Sequence, residues 1–169
     1  GFTRGYWFQA PTDFTVTGVR VPTDATAFMP QSAEIVRFNS ALPAYPLVSN
    51  DFTSLGYWRN ISGGGFISSN IAVLQGDIIG VLGTRMLANS YGAADHTAQI
   101  GGFTVSLSRL GLLNDFLFNG QAYNLFTEAG PIGRVELRLD QAAADAVAAP
   151  EPGTLILVLT GILGMAIIR

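Results

Sequence analysis

The chain has 169 residues, the size of one domain plus an appendage, and it can bury roughly two thirds of its unfolded surface without covalent staples. Only 12% of the residues are charged against 49% hydrophobic, so part of the surface is expected to face something other than water. The net charge of −3 is spread without basic runs, which leaves counterion release no source and excludes nucleic acid as a partner; the lack of Cys excludes disulfides, thiolate metal sites and Cys nucleophiles.

From Phe2 to Asp140 short apolar/polar alternation is cut by Gly, Pro, Asn and Asp, the pattern of an antiparallel all-β domain. "FTRGYWFQ" opens the series. "DFTVTGVRV" follows, with Phe14 and Val16 on one parity and Val19 and Val21 on the other, so a bulge is expected at Gly18. "AEIVRFN" (Ala33 to Asn39) and the segment from Leu47 to Leu55 are further strands, and "SGGGF" (Ser62 to Phe66) is a loop leading to a strand at Phe66 and Ile67. In "NIAVLQGDIIGVLG" two β-rich runs flank Gln75-Gly76-Asp77. The second, apolar on both parities, belongs in the middle of the fold, buried on both faces. Asn89 to Gly102 is a long polar loop, and "FTVSLSRL" alternates Phe103, Val105 and Leu107 against Thr104, Ser106 and Ser108. "DFLF" and "YNLF" come next, and "GRVELRLD" puts Val135, Leu137 and Leu139 on one face and Arg134, Glu136, Arg138 and Asp140 on the other. Roughly eight to ten strands suffice for two packed sheets, so the predicted fold class of residues 1–140 is an all-β, jelly-roll-like antiparallel sandwich.

Alternation ends at Asp140. "QAAADAVAA" and the prolines at 150 and 152 make residues 141–152 an Ala/Pro-rich linker, and residues 153–169 form an apolar α-helix by expectation. At about 1.5 Å per residue Gly153 to Ile168 reaches roughly 24 Å, a marginal span for a bilayer core of about 30 Å. A helix apolar all round must be enclosed by lipid or by other protein. Thr160 and Gly164, with Gly161 nearby, would let two such helices approach closely, and Leu155, Leu159 and Ile168 supply apolar surface before the terminal Arg169.

Few side chains suggest chemistry. His96, the single His, adjoins Asp95 in a polar loop with Ser90 nearby, but no nucleophile-elbow motif frames any Ser, and it reads as a surface histidine. The twelve acids are scattered, so neither a glycosidase pair nor a calcium loop is picked out; the chain is read as no enzyme and as needing no cofactor or metal. "GYW" occurs twice, at Gly5-Tyr6-Trp7 and Gly56-Tyr57-Trp58, beside Arg4 and Arg59. Tyr6, Trp7, Tyr57, Trp58 and Arg59 are therefore candidate glycan contacts, against the alternative that such aromatics bury large areas in a core or subunit interface.

Pro150-Glu151-Pro152, followed by Gly153-Thr154, an apolar run and Arg169, resembles the PEP-CTERM sorting signal of Gram-negative bacteria that make exopolysaccharide. "GYWFQAPTDFTVTGVRVP", "GDIIGVLG" and "IGRVEL" also look like segments of PEP-CTERM protein bodies. The resemblance implies export behind an N-terminal leader, with which a start at Gly1 agrees, and transient retention in the inner membrane by the tail. It further implies processing near Pro150-Glu151-Pro152 by the membrane enzyme exosortase, and release to the cell surface or extracellular matrix. One departure is that the family tail ends in several basic residues, where this chain has Arg169 alone.

The expected function is that of a secreted bacterial surface or matrix structural protein. Repeated copies of one apolar tail are the simplest dry partner, and burying sixteen such residues contributes on the order of 20 kcal/mol before ordering costs. A contact that does not close into a ring then gives a filament with tails inside and sandwiches outside. The alternative is a carbohydrate-binding module of the biofilm matrix, with exopolysaccharide as partner and the same tail as anchor.

Overall fold

The computed structural model describes residues 3–24, 26, 29–92, 96–113 and 117–141. Eleven strands and no helix occur among them: β1 (Arg4–Gln9), β2 (Phe14–Arg20), β3 (Gln31–Phe38), β4 (Phe52–Ile61), β5 (Ile67–Val73), β6 (Ile78–Arg85), β7 (Thr97–Ile100), β8 (Phe103–Ser106), β9 (Ser108–Leu112), β10 (Leu125–Thr127) and β11 (Glu136–Gln141). They form a six-stranded sheet in the order β10-β9-β1-β6-β3-β4, a three-stranded sheet β11-β2-β5 and the hairpin β7-β8. Each ladder between strands is antiparallel. The architecture is sandwich-like.

The larger sheet is covered on both faces. On one, Tyr6, Phe8, Ile35, Ile79 and Val81 pack against Val16, Val19 and Val21, and Leu137 and Leu139 of β11 close the side. On the other, Val36, Phe38, Leu82 and Leu110 lie against Leu117, Ala122 and Leu125 from the segment after β9. β6 shows why a strand apolar on both parities belongs inside: it runs between β1 and β3, with Val81 in the first cluster and Leu82 in the second, both with no exposed surface.

The bulge sits where the change of parity in β2 predicts it. Val16 pairs Leu139 and Gly18 pairs Arg138, leaving Thr17 as the extra residue against β11, and the β2–β5 register slips at the same place. Val16 and Val19 thereby both reach the core.

Three expectations are corrected. "FTVSLSRL" is not one strand: it breaks at Leu107, whose backbone N–H donates to His96 O at 2.8 Å, so β8 pairs only with β7 while β9 joins the larger sheet, and Phe103 is exposed. The loop read over Asn89 to Gly102 contains β7, turned back by Gly101 and Gly102, both at positive φ (60° and 81°), the backbone of a tight hairpin. Leu117 and Phe118 of "DFLF" lie in a turn rather than a strand, because Leu117 points into the second cluster and its carbonyl accepts from Tyr57 Oη at 2.8 Å. The linker beyond Gln141, the sorting tripeptide and the apolar segment lie outside the described residues. No helix among the described residues is long and apolar enough to cross a membrane.

Candidate functional site

The two Gly-Tyr-Trp repeats do not form one platform. They lie on β1 and on the edge strand β4, with β6 and β3 between them. In each, alternation sends the Tyr and the Trp to opposite faces. Tyr6 is buried in the first cluster with its hydroxyl donating to Val135 O at 2.9 Å, and burial pushes that hydroxyl's proton affinity well up. Trp7 is half-buried on the second cluster and donates from Nε1 to Thr127 Oγ1 at 2.9 Å. Tyr57 also packs on the second cluster, and Trp58 on the first. Arg59 is exposed, its Nε donating to Phe118 O at 2.7 Å.

The glycines of the repeats answer to different contacts. A Cβ on Gly56 would stand 2.5 Å from the Trp58 ring, whereas one on Gly5 would stand 1.8 Å from the backbone oxygen of Val81. Trp58 folds back over its own strand, and β1 is pressed against β6.

His96 is exposed, and Asp95 lies outside the described residues. Ser90 is drawn elsewhere: its hydroxyl accepts from Arg134 Nη1 at 3.3 Å, and its hydrogen bond to Asp24 is the largest influence holding that carboxyl below its usual range. Among the described residues no three His, Asp or Glu side chains gather as metal ligands would.

Two buried charges carry no motif. Glu34, in β3, has no exposed surface; its Oε1 accepts from Ser54 Oγ and its Oε2 from the Ala122 N–H, each at 2.6 Å. Desolvation outweighs these bonds and raises its pKa, while the bond to Ala122 ties the segment after β9 to the sheet. Arg85, at the end of β6, donates to the carbonyls of Val21 (2.8 Å), Pro22 (3.0 Å), Met29 (2.6 Å) and Gly63 (3.2 Å). Gln31 joins it, accepting from Val21 N and donating to Gly65 O, both at 2.9 Å. The Gly-rich loop at Ser62 to Phe66 is thus held down by two polar side chains from neighbouring strands.

The third polar constellation lies where β9 begins and β10 ends. Glu128 Oε1 accepts from Arg4 Nε at 2.6 Å and Arg109 Nε at 2.9 Å, and Arg109 Nη1 donates to Pro131 O at 2.8 Å. Arg4 lies over the Phe126 ring at 5.5 Å and Arg109 over the Tyr91 ring at 5.6 Å. Thr127 Oγ1, which takes the Trp7 bond, donates to Arg109 O at 3.1 Å. Arg109, Glu128, Thr127, Ser106, Ser108 and Thr97 line a cavity of about 670 Å³. A second cavity of about 400 Å³ opens beside β11 and is walled mainly by core side chains such as Phe8, Ile100, Leu107 and Val135. His96 borders both.

Sequence reasoning missed the site at Arg109 and Glu128 because its members are far apart, Arg4 and Glu128 by 124 residues. Of the predicted contacts, Tyr6 and Trp7 are the cross-strand neighbours of Arg109 and Ser108, and Trp7 alone bonds to Thr127. No family model, no curated protein and no solved structure matches the chain.

Proposed function

We propose that this chain is a non-catalytic structural protein of a Gram-negative cell surface or extracellular matrix, exported, directed by its PEP-CTERM-like tail but released with that tail uncut, in departure from the processing that the family resemblance implies, and self-associating. Its body is a jelly-roll-like variant of the sandwich, and residues 153–169 form the apolar helix around which copies assemble, in a filament with the tails inside.

The observation that carries this reading is the join between body and tail. The sandwich runs to β11, an edge strand of the smaller sheet, and within about ten residues the sequence passes to Pro150-Glu151-Pro152 and an uncharged run ending at Arg169. Tyr45, Leu47 and Val48 on the β3–β4 connection are 56%, 69% and 37% exposed, an apolar patch of the kind that supports contact between copies.

Negative-stain microscopy of the full chain and of a chain ending at Ala149 tests the reading. Filaments are expected from the first and dispersed particles from the second; filaments unchanged by the truncation exclude the tail as their core.

A further inference from the structure

We infer that a gap in the second layer of the sandwich, between β11 and β7, seats a twelfth strand, and that the chain supplies it from residues 142–149, running back antiparallel to β11. The inference goes beyond self-association and does not rest on it.

The cavity of about 400 Å³ beside β11 lies between two strand edges. β11 is paired with β2 alone and β7 with β8 alone, and both lie over the same face of the larger sheet, with Leu139 and Ile100 in the first cluster. Consecutive residues border the opening on each side, 134–137 on the β11 side and 98–100 on β7. Side chains alternate along an extended chain, so a strand that showed the cavity only one face would line it with every second residue. The other parity is engaged elsewhere: Arg134 pairs with Asp24, Glu136 with Arg20, and Gln99 donates to Thr104 Oγ1 at 2.8 Å. What these residues turn to the gap is backbone. Two facing edges of unpaired N–H and C=O groups are the template for another strand.

Direction fixes the number. Along β11, Val135 O accepts from Tyr6 Oη, and Gln141 pairs with Phe14, whose ring stacks on Phe8 at 6.4 Å. Along β7, His96 O accepts from the N–H of Leu107, next to Ser108, the partner of Trp7; past the other end, a Cβ on Gly101 would stand 2.6 Å from Thr12 Cγ2. Both strands therefore run the way β1 runs. Two strands of the same direction in an antiparallel layer lack one strand between them. With it the layer reads β8-β7, the added strand, then β11-β2-β5, six strands facing six.

The occupant follows from where the described chain stops. Gln141 ends β11 at the end of the gap where an antiparallel strand must enter, so the next residues are tethered there, while those of a second copy are not. Eight residues follow before Pro150, which lacks the N–H that a strand between two neighbours donates. Asp145 sets the parity. Facing inwards it would be buried on Tyr6, Phe8 and Leu107, so Ala144, Ala146 and Ala148 take the inner face, over a floor those larger side chains already fill. Asp145 then shares the outer face with Arg138, an exposed guanidinium that no carboxylate approaches within ion-pair distance among the described residues.

The chain has no Cys, so a disulfide scan of the full chain tests the inference. Ala98→Cys is combined in turn with Ala144→Cys, Ala146→Cys and Ala148→Cys and, on the other parity, with Asp145→Cys and Val147→Cys, then oxidised and run on a non-reducing denaturing gel. A disulfide within one chain is expected for at least one of the first three pairs and for neither of the last two. Cross-linked dimers in their place would make the strand a second copy's and overturn the inference, as would no cross-link in any pair or equal cross-linking on both parities. Ala146→Pro removes a donor from the strand and is expected to speed amide hydrogen exchange in β7 and β11 about tenfold while leaving β6, the reporter of an intact sandwich, unchanged. Equal exchange in β7 and β11 of parent and variant also overturns it. Residues 142–149 are present in both chains of the filament test, so the two tests fail independently.

Discussion

Glu34 gives the sandwich a pH dependence of defined sign. Its folded-state pKa lies above its unfolded value because burial disfavours the charged form. Stability associated with the protonated group is therefore fully present below the ordinary Glu value near 4.3 and is lost as pH rises through the raised folded value. Glu34→Gln keeps an acceptor for the Ala122 N–H and turns a donor to Ser54. Urea unfolding between pH 4 and pH 8 is expected to show the parent chain losing stability relative to this variant as pH increases; parallel curves contradict the assignment. Arg85 is the opposite case, a buried cation that several loop carbonyls depend upon. Arg85→Met is expected to cost about 3 kcal/mol, and Arg85→Lys, which keeps a charge but has fewer donors, about half as much, read from the urea midpoint at unchanged slope. Tyr57→Phe removes one bond to Leu117 O and should cost about 1 kcal/mol in the same assay. None of these roles was legible as a motif. The single local hint was a charge set among apolar strand residues, Glu34 within "AEIVRF" and Arg85 after "IIGVLGT", which marks a buried ion without naming its partners.

At the scale of elements, what the sequence showed depended on whether one face of a strand is dry. "GRVELRLD" was legible because Val135, Leu137 and Leu139 face the core while Arg138 and Asp140 stay exposed. Gly18 was legible because the bulge moves a whole apolar set from one parity to the other. β7 was not: Thr-Ala-Gln-Ile buries one large apolar side chain, Ile100, and its pairing depends on a two-glycine turn. The break at Leu107 was hidden because alternation continues across it while the strand changes partner. The hairpin should accordingly be the weakest paired element. Gly102, at φ 81° with nothing near its would-be Cβ, is held to glycine by backbone conformation alone. Gly102→Ala is expected to cost about 1 kcal/mol and to speed amide hydrogen exchange in β7 and β8 more than in β6; a uniform change across all three strands contradicts a locally stabilised hairpin.

For the whole molecule, the larger sheet acts as a partition. One face makes the sandwich core, the other holds the segment between β9 and β10, and the end where β9 begins carries the ionic cluster and its cavity. The aromatic repeats contribute mainly to that partition, since each divides its Tyr and Trp between the two faces. The tail adds a different kind of surface, apolar along its whole length, and the proposed function rests on where that surface is buried. Mass spectrometry of a tryptic digest of the protein recovered from the matrix of its source culture tests this most directly, because no Lys or Arg interrupts the stretch between Arg138 and Arg169. A continuous peptide from Leu139 to Arg169 is the predicted result, with the tail kept inside the assembly; a peptide ending at or before Pro152 would mean that the tail is removed and that copies are held together by something else.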